Sequence, residues 1–213
     1  MGKVEDILKE LKVSVETWNT DLAIKAVNNA KEAGISPFVA IEAGLGRGMI
    51  TISVLFDEGK IYLPQVLAAS QTMQKAMEML GPLDLSHSWT KGIVVLGTVQ
   101  GDIHEIGKHV IKAFLRGGGY TVFDLGKDVP TENFIAAIKE HQADIVGASA
   151  LMTTTLIGQR QLVETLKEEN LSQVKTIFGG APCTQKWVDS ISGDGYCSSG
   201  ADVIELVHRM MGE

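Results

Sequence analysis

Asp102 and His104 stand two residues apart in a glycine-rich stretch, Gly97-Thr-Val-Gln-Gly-Asp102-Ile-His104-Glu-Ile-Gly107. A neutral imidazole is a good ligand for a transition metal. Its second ring nitrogen then needs a partner that fixes the tautomer and tunes the donor strength, and a carboxylate two residues back on the same loop supplies one. Glycines at 97, 101 and 107 let the backbone bend and let a bulky ligand approach. Alone, Asp-x-His is a weak signal, because such pairs are also ordinary surface hydrogen bonds. Two further segments follow apolar runs in the same way: Ser149-Ala-Leu151-Met-Thr153-Thr, and Gly179-Gly180-Ala-Pro, whose glycines would leave a slot without side chains.

The elements that must position these residues begin at Gly92. Short apolar runs at 93–96, 120–125, 145–149 and 174–178, with a weaker one near 196–197, alternate with helical stretches near 105–116, 131–141, 154–169, 184–191 and 200–211. Strands this apolar, separated by helices, predict a parallel sheet covered on both faces. Five such units predict a flavodoxin-like α/β domain, in which ligands sit at the carboxyl ends of the strands near the point where strand order reverses. In that order the first and third strands are neighbours, so Asp102, His104 and Ser149 are expected to converge. Among the other histidines, His109, His141 and His208 read as surface positions on helices.

The first 80 residues read as four amphipathic helices forming a small bundle. The first carries Val4, Ile7, Leu8, Leu11, Val15 and Trp18. The second has Thr20 as its expected N-cap and Gly34 as its stop. Ser36-Pro37 opens the third, with the stripe Phe38, Ile41, Leu45, Met49, Ile52 and Phe56. Gly44 and Gly48 on this helix each cost stability, which implies a close helix or cofactor contact. Pro64 starts the fourth. Residues 81–91 have no period and read as a linker, so the expected domains are a helical cap over 1–85 and an α/β domain over 86–213.

Composition narrows the function classes. The chain has 213 residues, 21% of them charged, and a net charge of −7. A nucleic-acid binder would need a basic face, and no cluster of Lys and Arg is present. The N-terminus has no apolar segment of the secretory kind, and no apolar run approaches membrane-spanning length. Two cysteines, Cys183 and Cys197, fit no zinc spacing and read as reduced thiols of a cytoplasmic protein.

The spacing lifts Asp-x-His above the ordinary. D-x-H-x-x-G is followed by 41 residues, then S-x-L, then 27 residues, then G-G. This resembles the fingerprint of cobalamin-binding domains that hold the cofactor base-off, with a protein histidine on cobalt, as in cobalamin-dependent methionine synthase and the B12-dependent mutases. Residues 44–77, with GLGRGM, LFDEGKIYLP and QVLAASQTM, look like the helical cap of methyl-transferring corrinoid proteins. SALMTT at 149–154 and FGGAP followed by Trp187 look like the corrinoid proteins of methylamine and quaternary-amine methyltransferase systems.

The resemblance implies that His104 is the cobalt ligand below the corrin, that Asp102 hydrogen-bonds it, and that Ser149 extends the relay or touches the nucleotide tail. Gly107, Leu151, Gly179 and Gly180 would line the slot for the displaced dimethylbenzimidazole tail, with Tyr196 near it. Ile103 and Thr153 count among the cofactor-binding residues, and Met73 is a contact from the cap, although bundle core explains it equally well. The implied function is that of a carrier: a methyl group passes to cobalt from a substrate held by a partner methyltransferase, then to a thiol coenzyme or tetrahydrofolate on a second methyltransferase. A reductive activator is a further implied partner, nucleic acid and membrane are not, and 81–91 would be the hinge of the cap. A B12-dependent sensor is the alternative, but no output module is visible. A nucleotide-binding flavodoxin-like domain is a third reading, weakened by the lack of a phosphate loop after the first strand.

Overall fold

The computed structural model describes residues 2–80, 90–200 and 202–212. Two compact units result, Met1–Thr90 with Ala113–Gly119, and Lys91–Lys112 with Tyr120–Glu213. The boundary expected at 85/86, most of the 81–91 linker, His87 and Trp89 lie outside the described residues.

The helical unit contains α1 (Gly2–Glu16), α2 (Thr20–Glu32), α3 (Pro37–Ala40), a π-helical turn (Ile41–Leu45), α4 (Gly46–Asp57) and α5 (Leu63–Leu80). Because α3, the π turn and α4 run on as one helix, Pro37–Asp57, four helical rods form, as the periodicity predicts. At 21 residues this rod is long and apolar enough to cross a membrane by length and composition, a property the sequence reading did not anticipate. Its two glycines have a packing reason. A Cβ at Gly44 would lie 2.9 Å from Leu11 Cβ, and one at Gly48 would lie 2.6 Å from the Lys12 carbonyl oxygen. The close contact inferred from these glycines is therefore with α1.

Three local expectations are corrected. Asn19, not Thr20, caps α2, its side-chain oxygen accepting from the Leu22 amide at 2.9 Å. The Thr20 hydroxyl instead pairs with that of Thr72 at 3.1 Å, tying α2 to α5. Trp18 lies beyond the end of α1, in left-handed backbone (φ 44°), and is exposed. Phe38 is also exposed, while Ile41, Leu45, Met49 and Ile52 are buried. A π turn adds a residue to one helical turn, so it puts Phe38 out of phase with the stripe that a uniform 3.6-residue period assigns it to.

The α/β unit is a five-stranded parallel sheet in the order β2-β1-β3-β4-β5. Its strands are β1 (Ile93–Thr98), β2 (Thr121–Asp124), β3 (Ile145–Ser149), β4 (Lys175–Gly179) and β5 (Gly195–Tyr196). The intervening helices are α6 (Ile106–Gly117), α7 (Thr131–His141), α8 (Leu156–Glu168), α9 (Gln185–Ser190) and α10 (Asp202–Met211). This is the expected flavodoxin-like order, and Thr98 pairs with Ser149 across β1 and β3. Val95, Val99, Phe134, Ile138, Val146, Leu162 and Phe178 form the core on one face of the sheet. A Cβ at Gly97 would lie 2.5 Å from the Phe134 ring, so this glycine serves core packing and not ligand approach. Nor is His141 a plain surface position: its ring stacks on Phe123 with centroids 3.6 Å apart.

Candidate cofactor-binding site

Past the end of β1 the chain bends through Gly101, in left-handed backbone at φ +82°, and returns toward α6. Four bonds fix this loop. The Thr98 hydroxyl donates to the His104 carbonyl at 3.0 Å, and the Gly101 amide to Asp128 Oδ1 at 2.7 Å. The Asp128 amide donates to the Asp102 carbonyl at 2.9 Å, and the Asp102 amide to that of Val99 at 3.1 Å. Asp128 holds its position in left-handed backbone (φ 54°), a conformation that aspartate tolerates better than most residues.

Asp102 is fully buried and collects donors from two loops. From its own loop, Oδ1 accepts the His104 amide at 3.0 Å and His104 Nδ1 at 2.8 Å. From the loop after β3, Oδ2 accepts the Leu151 amide at 2.7 Å, the Met152 amide at 3.3 Å and the Thr155 hydroxyl at 2.8 Å. Burial pushes this carboxyl up, but the hydrogen bonds from His104, Thr155 and Leu151 outweigh it and hold the group well below the usual carboxylate range. Asp102 is thus ionised and accepts from every partner it has here, with His104 Nδ1 the ring nitrogen that meets it.

The His104 side chain is 48% exposed. On the two loops that Asp102 joins, and on the helices that follow them, Ile103, Ile106, Leu151, Met152 and Ile157 are all exposed. Apolar side chains clustered at a polar loop edge mark a binding surface. Nothing lies within 4 Å of a Cβ built on Gly107. No group of three His, Cys, Asp or Glu side chains that could hold a bare ion occurs among the described residues. A single imidazole with its far nitrogen directed by a carboxylate suits a metal whose other ligands come with it. The residues present therefore fit a cobalamin.

The remaining expected residues divide. Ser149 sits in β3, where its carbonyl accepts the Val99 amide at 3.0 Å, and the side-chain hydroxyl that meets Asp102 is that of Thr155. Thr153 is exposed beside Leu151. Gly180, at φ +117°, has the Ala150 backbone on its Cβ side, so that side of the expected slot is filled by chain. Tyr196 is half-buried against the sheet core, and Met73 is fully buried within the helical unit.

Sequence reasoning missed Thr98, Asp128, Thr155 and Gln159. Gln159 is fully buried, donating to the Ala148 and Gly179 carbonyls at 3.0 Å each and accepting Trp187 Nε1 at 2.9 Å. It thereby ties the ends of β3 and β4 to α9. It also missed Asp124, at the end of β2, which binds the buried Lys108, Lys112 (2.9 Å) and the Gly126 amide (3.0 Å). Burial pushes the Asp124 carboxyl up, yet these partners bring it down to about 2.

A carboxyl lowered on folding stabilises the native state above its unfolded pKa, and that stability is lost as pH falls through the folded value. For Asp124 the window runs from about pH 4 to about pH 2, worth on the order of 2 kcal/mol. Urea midpoints should fall across this window in the wild type. Asp124→Asn should start lower at neutral pH and lose less; an equal fall in both would remove Asp124 from the account.

The B12 binding domain model matches residues 92–206, and a second model of the same description matches residues 7–80. Dimethylamine corrinoid protein 1 of Methanosarcina acetivorans is 44% identical over 97% of this chain and 98% of its own length. Trimethylamine corrinoid protein 1 of the same organism is 41% identical over 99% and 100%. Among solved structures, the methanol:cobalamin methyltransferase complex of Methanosarcina barkeri matches with a TM-score of 0.83 and 30% identity, over 97% of this chain and 80% of that one. The chain belongs to the family of methylamine corrinoid proteins.

Proposed function

We propose that this chain binds a cobalamin base-off, with His104 Nε2 on cobalt, and carries a methyl group from a methylated amine to a second methyltransferase. The observation that supports this most is the Asp102–His104 pair: a buried, ionised carboxylate directs a half-exposed imidazole outward among apolar side chains. Bound cobalamin supplies a cobalt centre that accepts and releases a methyl group. The protein's part is orientation and control of the lower ligand. Asp102 keeps the proton on Nδ1, so Nε2 is the nitrogen offered to cobalt. Ile103, Leu151 and Met152 keep water from the face they cover.

The first partner is a methyltransferase specific for a methylated amine, because relatives named for dimethylamine and trimethylamine resemble the chain almost equally. A second methyltransferase, for a thiol coenzyme or tetrahydrofolate, takes the methyl group on, and a reductive activator restores cobalt that has been oxidised. The cytoplasm suits this work. Cys183 and Cys197 are buried, and burial pushes the Cys183 thiol up to about 11, which leaves it inert.

The test is anaerobic reconstitution with hydroxocobalamin, desalting, reduction, and exposure to dimethylamine or trimethylamine with the matching methyltransferase. One corrinoid per chain, with the methylated-cobalt absorption spectrum appearing only with one amine and its enzyme, is the expected result. Folded protein that retains no corrinoid would sink the reading.

A further inference from the structure

We propose that Asp128 is a positioning residue that sets where His104 stands, acting on the main chain of the ligand loop from the segment after β2. This rests on the reading of His104 as the cobalt ligand.

The segment that carries Asp128 is a fixed frame. The Leu125 amide donates to the Leu96 carbonyl at 2.8 Å, the Thr98 amide to the Gly126 carbonyl at 3.0 Å, and the Val129 amide to the Thr98 carbonyl at 3.0 Å. Val99 and Val129 add a parallel bridge. The pairing of β1 with β2 thus runs on beyond the end of β2, and Asp128 lies within that extension. Its backbone is left-handed at φ 54°, a costly conformation for a residue with a side chain. Such strain persists where the surroundings over-determine it, and it gathers at functional sites. Here the bonds to the ligand loop supply the determination. Asp128 Oδ1 accepts the Gly101 amide at 2.7 Å, and the Asp128 amide donates to the Asp102 carbonyl at 2.9 Å. Gly101 is left-handed as well, so the turn of the ligand loop is tied directly to the strained residue opposite it.

Asp102 and Asp128 then divide the work. Asp102 directs the ring through its carboxylate, which meets Nδ1. Asp128 holds the peptide groups of residues 101 and 102, just ahead of His104. Letting those groups go would carry Asp102 and His104 away together, with their mutual bond intact and the ring displaced. Direction and position are therefore separable by substitution. Lys127 and Glu105 join the same two segments at 3.8 Å, but a solvent-facing ion pair holds little.

The experiment compares wild type with Asp128→Gly, Asp128→Asn and Lys127→Ala. Glycine keeps the left-handed backbone and the amide, and removes only the acceptor; asparagine keeps an acceptor oxygen and tolerates the same backbone. In the apoprotein, hydrogen exchange at the Gly101 amide should quicken about tenfold in Asp128→Gly and stay near wild type in Asp128→Asn. After reconstitution, Asp128→Gly should weaken cobalamin binding by about tenfold, the lower end of the effect of groups that orient a metal ligand. It should also reduce the nitrogen-coordinated fraction of the Co(II) form in electron paramagnetic resonance. Asp128→Asn should restore both, and Lys127→Ala should match wild type. In a His104→Ala background Asp128→Gly should cost no further affinity, because its effect runs through the imidazole. A further loss in that background would reveal a general effect on the fold and overturn the proposal. So would a glycine variant with wild-type affinity and hyperfine pattern, or an asparagine variant as impaired as the glycine one. Wild type without any nitrogen pattern overturns the ligand reading itself, a separate result.

Discussion

Replacing His104 with alanine is expected to leave the protein folded and to remove the protein nitrogen from cobalt. The side chain is 48% exposed, so little packing is lost. Asp102 loses one of five donors and keeps the amides of His104, Leu151 and Met152 and the Thr155 hydroxyl. A buried acceptor that retains most of its partners costs about 1 kcal/mol. The functional loss is of another order, because the imidazole itself is what would meet the metal. In electron paramagnetic resonance the Co(II) form should show no protein nitrogen splitting, and cobalamin affinity should fall by more than the ten- to hundredfold typical of residues one step further out. A variant that keeps the splitting would assign the ligand elsewhere.

Gly180→Ala should act on folding. A Cβ there would lie 1.9 Å from the Ala150 carbonyl oxygen and 2.6 Å from its carbon, at φ +117° where side-chain-bearing residues are strained. These are backbone atoms, so relief requires moving the loop after β3 or the loop after β4. The Ala150 amide is also bonded to the Gly179 carbonyl at 3.1 Å, and that carbonyl accepts Gln159 as well, so neither loop moves alone. A loss of about 4 kcal/mol or more is expected, in the exceptional range for one substitution, read from the urea midpoint. Gly107→Ala is the contrast. It sits in α6 with nothing within 4 Å, and alanine there should gain up to about 1 kcal/mol from helix propensity. If Gly107 lies under the cofactor, the same variant, though more stable, should bind cobalamin more weakly.

The pair at the centre of the site was legible because it is local. Asp102 and His104 are two residues apart on one loop, and the position of that loop followed from an apolar run before it and a helix after it. The strand order was legible for a similar reason, since each βα unit announces itself within about 25 residues and the sheet has few ways to arrange them. What stayed hidden is the set of bonds that cross between loops. Thr155 meets Asp102 from 53 positions away, and Asp128 meets Gly101 from 27. Thr155 is the last of three consecutive threonines, and nothing in its type distinguishes it from Thr153, which is exposed. The glycine pair at 179–180 is legible as a place without side chains, and the Ala150 backbone that lies on the Cβ side of Gly180 is not.

The π turn at Ile41–Leu45 has a consequence of a different kind. A wide turn of this sort is a single surplus residue carried inside an otherwise regular helix. Its content is therefore a length and not a side chain. Removing one residue would close the turn to ordinary pitch and turn everything before it by roughly 100° against everything after it. Phe38 and Val39, now at the surface, would swing around the rod while Gly48 stayed against α1. Scanning by substitution would pass over this feature entirely; only a deletion would reveal it.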